Sequence, residues 1–358
     1  MADLLVYRAE GAAVVHGTDL YGFTVTRWRL PATYPPFAAI LFVPATWLPV
    51  PALKAAFLAG NALLLAALIV LSARLAGRAV SPPLLCTATA LSLWLEPVFQ
   101  TVLFGQINLA IAGLVPWDLT RPPGPRGRGV ALGIATGIKL TPALFVAYLL
   151  LRGRGHDAGT ATAARAGTVL LGTLLLPAAS AGFWTRRLFE TGRVGKAWIV
   201  DDQSLQGLIA RALGTPAPGL AWAVPAAAVA AAGLCLAARV REERHGVLLT
   251  AVTALLISPI SWSHHWAWCV PLLTVLLAEG RVRLAALTAT ALTATAFTAR
   301  TLWLVPHEAH RDLHLAWWQQ PLASPYPLLG LALIAAAALR AAQPVLSSVR
   351  MSSASTIR

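Results

Sequence analysis

Hydrophobic positions in this chain fall in long unbroken runs, not in the narrow 3.6-residue stripe of a helix lying on a soluble core. Such runs occur near 52–73, 83–101, 166–182, 217–238, 246–261, 266–278, 284–304 and 327–342, with one more ending at Leu119. An α-helix needs roughly 20 apolar residues to cross a bilayer, so the pattern predicts about nine full spans. Arginines close most of them: Arg74 and Arg78, Arg126 and Arg128, Arg152 and Arg154, Arg239, Arg241 and Arg244, Arg281 and Arg283. Basic residues favour cytoplasmic loops, which orients every span and puts the polar tail with Arg350 and Arg358 inside.

Three stretches break the pattern. Residues 1–35 mix apolar Leu4, Leu5 and Tyr7 with Asp3, Arg8 and Glu10, and read as a surface helix and an irregular loop. Residues 36–50 are apolar but too short for a span and are broken by Pro44 and Pro49, so they read as interfacial or re-entrant helices. Residues 129–151 are apolar apart from Gly137-Ile-Lys-Leu-Thr-Pro142 and have arginines on both sides. With both flanks cytoplasmic, this segment enters the membrane and returns, breaking at Lys139 and Pro142.

Composition sharpens the class. The chain has 358 residues, 57% hydrophobic and only 12% charged, about half the charged share of a soluble domain. It reads as a single all-α integral membrane domain: 1–50 interfacial on the outer face, 51–342 the transmembrane bundle, 343–358 a cytoplasmic tail. The net charge of +14 does not indicate nucleic-acid binding, because the arginines sit in short clusters between spans. Lysine occurs only at 54, 139 and 196. Cys86, Cys235 and Cys269 lack metal-ligand spacing and read as inert core thiols. The chain opens Met-Ala-Asp, yet its first residues come out on the outer face; this reading expects a preceding apolar span that the sequence lacks.

The candidate chemistry gathers at Ser258-Pro-Ile-Ser-Trp-Ser-His-His-Trp-Ala-Trp268. Two adjacent histidines, His264 and His265, join two apolar runs among tryptophans, which favour the headgroup level of a bilayer. Adjacent histidines on such a turn have little packing value. The same outer face collects Asp3, Tyr34, Gln106, Asn108 and Gln203, and Lys139 reaches toward it as a charge that is functional by default inside an apolar run. Gln106, Asn108 and Gln203 read as hydroxyl contacts or helix glue. Taken alone, Asp3 reads as a helix cap or a solvated terminus. His307-Glu-Ala-His310 and His314 have a spacing that zinc accepts, but short His-rich stretches are weak metal evidence, and this one reads as a polar loop with no metal.

Four stretches resemble the bacterial polyprenyl-phosphate-mannose-dependent α-1,2-mannosyltransferases of glycosyltransferase family 87, actinobacterial type. They are Asp3-Leu-Leu-Val-Tyr7 with Gly17-Thr-Asp-Leu-Tyr21 and Tyr34-Pro-Pro-Phe37; Phe104-Gly-Gln-Ile-Asn108; Gly137-Ile-Lys-Leu-Thr-Pro142; and Ser258 to Trp266. Asp202-Gln-Ser-Leu205 with Arg211 is a weaker fifth. The resemblance implies a GT-C type helix bundle with its site on the outer face of the plasma membrane and, relative to that fold, a missing first transmembrane helix. It also implies inverting transfer of mannose from a polyprenyl phosphate carrier to a glycolipid or lipoglycan hydroxyl, with no cofactor and Asp3 at the position of the base. His264 and His265 join Asp3 as catalytic candidates; Tyr34, Gln106, Asn108, Lys139 and Gln203 are substrate-binding candidates. A phosphate leaving group needs no strong acid, only cationic or N–H donors. The rival readings are a transporter or flippase of lipid-linked sugars, which broken helices and a membrane lysine also suit, and an inactive truncated copy.

Overall fold

A computed structural model describes residues 1–122, 127–280, 284–307 and 310–355. Arg126, Arg281, Arg283, Glu308 and Arg358 lie outside the described residues, and at Arg350 only the backbone is described. The fold is helical, with one small hairpin, Thr24–Val25 paired with Leu30–Pro31.

Helix α1 is Ala2–His16, ended by Gly17 in the left-handed region. Its mixed composition reads as a surface helix, but much of it is buried. Leu4, Tyr7 and Glu10 are buried, and Leu4 and Tyr7 pack with Ala38, Phe42, Ala45 and Leu53. The Tyr7 and Phe42 rings stack at 4.3 Å. Helix α2 (Pro36–Leu41) and a 3-10 turn at Val43–Thr46 lead into α3, Val50–Leu75. Proline opens α2 and falls in the first turn of α3, where its missing N–H has no partner to lose.

Helices α4 (Pro82–Ser92), α5 (Glu96–Phe104) and α6 (Asn108–Leu119) follow. Gly105, at φ 70°, ends α5, and α6 leaves at 119° to it. Helices α7 (Val130–Ile138) and α8 (Leu144–Leu151) are separated by the break at Lys139–Ala143. The segment does turn back on itself. Arg128 before it and Arg154 after it both pair with Asp157 and with Glu243, so its two ends are tied to one cluster. Asp118 fixes the start of α7 by accepting from Gly129 N at 2.9 Å and Leu132 N at 3.0 Å.

Helices α9 (Gly155–Leu175), α10 (Pro177–Thr185), α11 (Leu205–Leu213), α12 (Leu220–Arg239) and α13 (Glu243–Ile257) complete the middle of the chain. Helices α14 (Cys269–Gly280), α15 (Leu284–Thr298), α16 (Gln320–Ala323) and α17 (Pro325–Ser355) close it. The main core runs from Leu65 and Leu68 through Leu109, Tyr148 and Val247 to Trp266, Phe297 and Tyr326.

Among the described residues, three helices are long and apolar enough to cross a membrane: Val50–Leu75, Leu220–Arg239 and Pro325–Ala342, with the bent α5–α6 pair as a fourth. Apolarity alone does not report helix length, and not every apolar run is one long helix among the described residues. The 83–101 run divides before Glu96-Pro97, where a new helix starts. The run at 246–261 becomes a helix of 15 residues. Cys269 is a core thiol, whereas Cys86 and Cys235 are exposed on the flank of the bundle; as small apolar side chains, they suit that face equally well.

Candidate active site at the His264–His265 turn

The site forms where three helix breaks meet: α5 to α6, α7 to α8, and the 3-10 turn Ser263–Trp268 between α13 and α14. Each break frees a side chain from its helix. Gly105 turns the chain so that Gln106 and Asn108 point inward, and both are buried. Lys139 adopts extended backbone at the end of α7. The start of α1 supplies Asp3.

Gln106 holds the first half. Its Nε2 donates to Asp3 Oδ2 at 2.6 Å, while its Oε1 accepts from Tyr7 OH at 2.6 Å and from Tyr34 OH at 3.3 Å. The two tyrosine hydroxyls are themselves 3.2 Å apart, and the carboxylate, which only accepts when ionised, takes the NH2 end of the amide. Burial raises the Asp3 carboxyl above its ordinary value, against the pull of the Gln106 bond and the nearby Lys139 charge.

Lys139 holds the second half. Its Nζ donates to Asn108 Oδ1 at 3.2 Å and meets His265 Nε2 at 2.8 Å. The same ammonium lies 5.8 Å from the centre of the Tyr34 ring, which bridges the two halves. Burial, followed by the Lys139 charge, keeps the His265 imidazole well below its ordinary pKa. It is therefore neutral, and its Nε2 lone pair accepts from Lys139. A cavity opens beside this pair, lined by Asn108, Thr141, Pro142, Phe145 and Trp268.

The two histidines have different surroundings. His265 meets Lys139 and borders the cavity. His264 is buried with neither ring nitrogen hydrogen-bonded, packed edge-on against Phe104 at 5.5 Å and against His265 at 4.8 Å. Its backbone carbonyl takes two donors at 3.2 Å each, Thr101 Oγ1 and Asn108 Nδ2.

The turn is also clasped from the other side. Asp202 Oδ1 accepts from Ser261 N at 2.7 Å and Ser204 N at 3.1 Å, and Asp202 Oδ2 accepts from Ser204 Oγ at 2.9 Å. Gln203 N donates to Ser261 O and Ser263 N to Asp201 O, both at 2.8 Å. Burial pushes the Asp202 carboxyl up to about 7, opposed first by the Ser261 N–H and then by the Arg211 charge.

The structure thus brings together Asp3, Tyr34, Gln106, Asn108, Lys139 and His265, with His264 directly behind. It does not bring Gln203 there. Gln203 Nε2 donates to Val200 O and Ala323 O, and Tyr326 N donates to its Oε1, so its amide staples a loop to the start of α17. Sequence reasoning missed the work of Tyr7, Thr101 and Asp202, although Tyr7 and Asp202 fall inside the stretches it singled out. It also missed Glu10, whose buried carboxylate forms no aligned hydrogen bond. Burial pushes Glu10 up to about 8, against the pull of the Thr33 backbone N–H. In the 305–326 loop, His307 Nδ1 contacts Val305 O at 2.7 Å and the His310 ring lies 4.9 Å from Trp198, so these two rings take separate partners.

A helical membrane protein with a carboxylate and a lysine–histidine pair at its helix breaks fits the class of membrane glycosyltransferases. Residues 32–259 match the model of glycosyltransferase family 87, and the chain belongs to that family. It is 36% identical, over 94% of its length and 84% of the relative's, to a protein of Mycobacterium tuberculosis (strain H37Rv) named polyprenol-phosphate-mannose-dependent alpha-(1-2)-phosphatidylinositol mannoside mannosyltransferase. A Mycolicibacterium smegmatis protein of the same name is 33% identical over 90% of this chain and 80% of its own. A second M. tuberculosis relative, from strain CDC 1551, is named for phosphatidylinositol pentamannoside and is 34% identical over 78% of this chain and 67% of its own. No solved structure matches the chain.

Proposed function

We propose that this chain transfers a mannosyl residue from polyprenol phosphate mannose to a hydroxyl of a phosphatidylinositol mannoside, working as one catalytic unit with inversion at the anomeric carbon. The observation that carries the reading is the convergence of one carboxylate with one cation: Asp3, bonded to Gln106, near Lys139, which meets the neutral His265. Asp3 accepts the proton of the acceptor hydroxyl as its oxygen attacks the anomeric carbon. The bond from that carbon to the phosphate oxygen breaks, and its electron pair leaves on the phosphate. Lys139 stabilises the phosphate charge; the neutral His265 ring orients the ammonium. Tyr34 and Asn108 are the proposed contacts for sugar hydroxyls. His264 acts through its neighbour, as the carbonyl anchor that sets the turn.

The bundle's polarity supports an extracytoplasmic site. Arg128, Arg152, Arg154 and Arg244 gather where α8 ends and α13 begins, at the opposite end of α13 from His264. Basic residues favour the cytoplasmic side.

Labelled mannose transferred from polyprenol phosphate mannose to phosphatidylinositol mannosides by the purified chain in lipid nanodiscs tests the reading. Transfer, lost in Asp3→Asn, is the expected result. No transfer, with lipid-linked sugar instead moved across a vesicle bilayer, would favour the flippase reading.

A further inference from the structure

The cavity beside Lys139 has two unlike parts. One part of its lining is polar: Lys139, which bonds Asn108 and His265, and Thr141. The remaining lining is apolar and includes Ala112 of α6, Phe145 at the start of α8, Ala251, Ala254 and Leu255 of α13, and Trp268. The Phe145 and Trp268 rings stack at 5.5 Å and form one flat side. Three of the other lining residues are alanines, each buried, so the space exists because the side chains facing it are small. Its volume is about 40 Å³, room for roughly three groups of water or methylene size. Among the lining residues only Lys139 carries a formal charge.

An anionic head joined directly to a hydrocarbon chain matches this layout: the head meets the Lys139 ammonium and the first chain carbons fill the apolar wall. A sugar would leave its hydroxyls unpaired against that wall, which disfavours it. We infer that this cavity holds the first carbons of the donor's prenyl chain next to its phosphate, and that Ala112, Ala251 and Ala254 select for a lipid-linked donor. The inference rests on the lipid-phosphate donor proposed above and adds where its chain enters and which residues gate it.

The test is a binding measurement and does not need turnover. Farnesyl phosphate and methyl phosphate are titrated against the full chain in nanodiscs. Wild type is expected to bind farnesyl phosphate at least about tenfold more tightly, since each buried methylene adds several-fold. Ala254→Val fills the cavity and is expected to remove most of that advantage while leaving methyl phosphate binding unchanged. Ala112→Val, on a different helix, does the same independently, and either variant suffices if its thermal unfolding matches wild type. Ala254→Gly should keep the advantage. Equal binding of the two phosphates by wild type, or a preference that survives both valine variants, overturns the assignment even if mannosyl transfer is confirmed. Conversely, failure of mannosyl transfer alongside an intact, valine-sensitive farnesyl phosphate preference would remove the sugar-transfer reading and leave the prenyl-phosphate site standing.

Discussion

Gln106 Nε2 donates to Asp3 Oδ2 at 2.6 Å, across 103 positions of sequence. The amide is also bonded to Tyr7 and Tyr34, so a buried pair of hydroxyls helps to hold the group that meets the carboxylate. A hydrogen bond to the charged form of an acid favours ionisation. Gln106→Leu therefore raises the Asp3 pKa further. A base must be ionised to accept a proton, so with Asp3 as the proposed base, transfer by wild type should fall as pH drops through the Asp3 pKa. In Gln106→Leu that acid limb should move to higher pH, with the plateau rate reduced far less than in Asp3→Asn. Asp3→Asn itself should lower kcat by about 10²–10⁴-fold. A pH–rate profile of the three proteins checks both; an unmoved limb in Gln106→Leu would mean that the limb belongs to another group.

Lys139 and His265 act as a unit 2.8 Å apart. Lys139→Met removes the cation proposed to face the leaving phosphate and should lower kcat/KM for the donor by about 10²–10³-fold. Lys139→Arg keeps the charge but not the point-donor geometry, and should recover only part of the loss. His265→Ala should weaken the donor step by a smaller factor, since Asn108 still holds the ammonium. Initial rates at varied donor and fixed acceptor separate these; an effect confined to acceptor KM would reassign the pair to acceptor binding.

The Asp202 clasp predicts a loss of order and not of chemistry. Asp202→Ala leaves the Ser261 and Ser204 N–H groups buried without an acceptor, each costing about 1–3 kcal/mol. Thermal unfolding in detergent should drop, and residual activity should track the folded fraction. Asp202→Asn, which retains one acceptor oxygen, should fall between. Asn108→Ala should lower kcat more than it lowers stability, because Asn108 touches both Lys139 and the His264 carbonyl.

Glu10 makes a pH prediction of opposite sign to a paired carboxylate. Its folded pKa is about 8, well above the unfolded value near 4.3. Between those values the folded state binds the extra proton, so stability falls as pH rises through the window and is lowest above it. Glu10→Gln removes this dependence. Its unfolding temperature should exceed that of wild type at pH 8 and approach it at pH 5. The difference amounts to a few kcal/mol at most, since each tenfold change in proton affinity is worth about 1.4 kcal/mol. An identical pH dependence in both proteins would show that Glu10 is not buried neutral.

Much of this protein is legible along the chain because its causes are local. Apolarity and arginine clustering define a helical membrane protein, and Lys139 with Pro142 marks a helix break without reference to any neighbour. The residue types at Gln106, Asn108, Lys139 and His265 identify candidates by chemistry, whereas Asp3 stood out only through the family resemblance of the stretch around it. What the tertiary structure decided is which of them meet. Gln203 carries the same functional groups as Gln106, yet one staples a loop to α17 and the other holds Asp3; the difference lies in what packs opposite each amide. His264 and His265 are neighbours of identical type, and only the turn between α13 and α14 sends one ring to Lys139 and buries the other against Phe104. The true helix lengths, the burial of α1 with Glu10, and the pairing of Asp202 with Ser261 likewise depend on contacts made far along the chain. A sequence states what each residue is able to do; the free energy of burial and of hydrogen bonds between distant segments chooses what each one does.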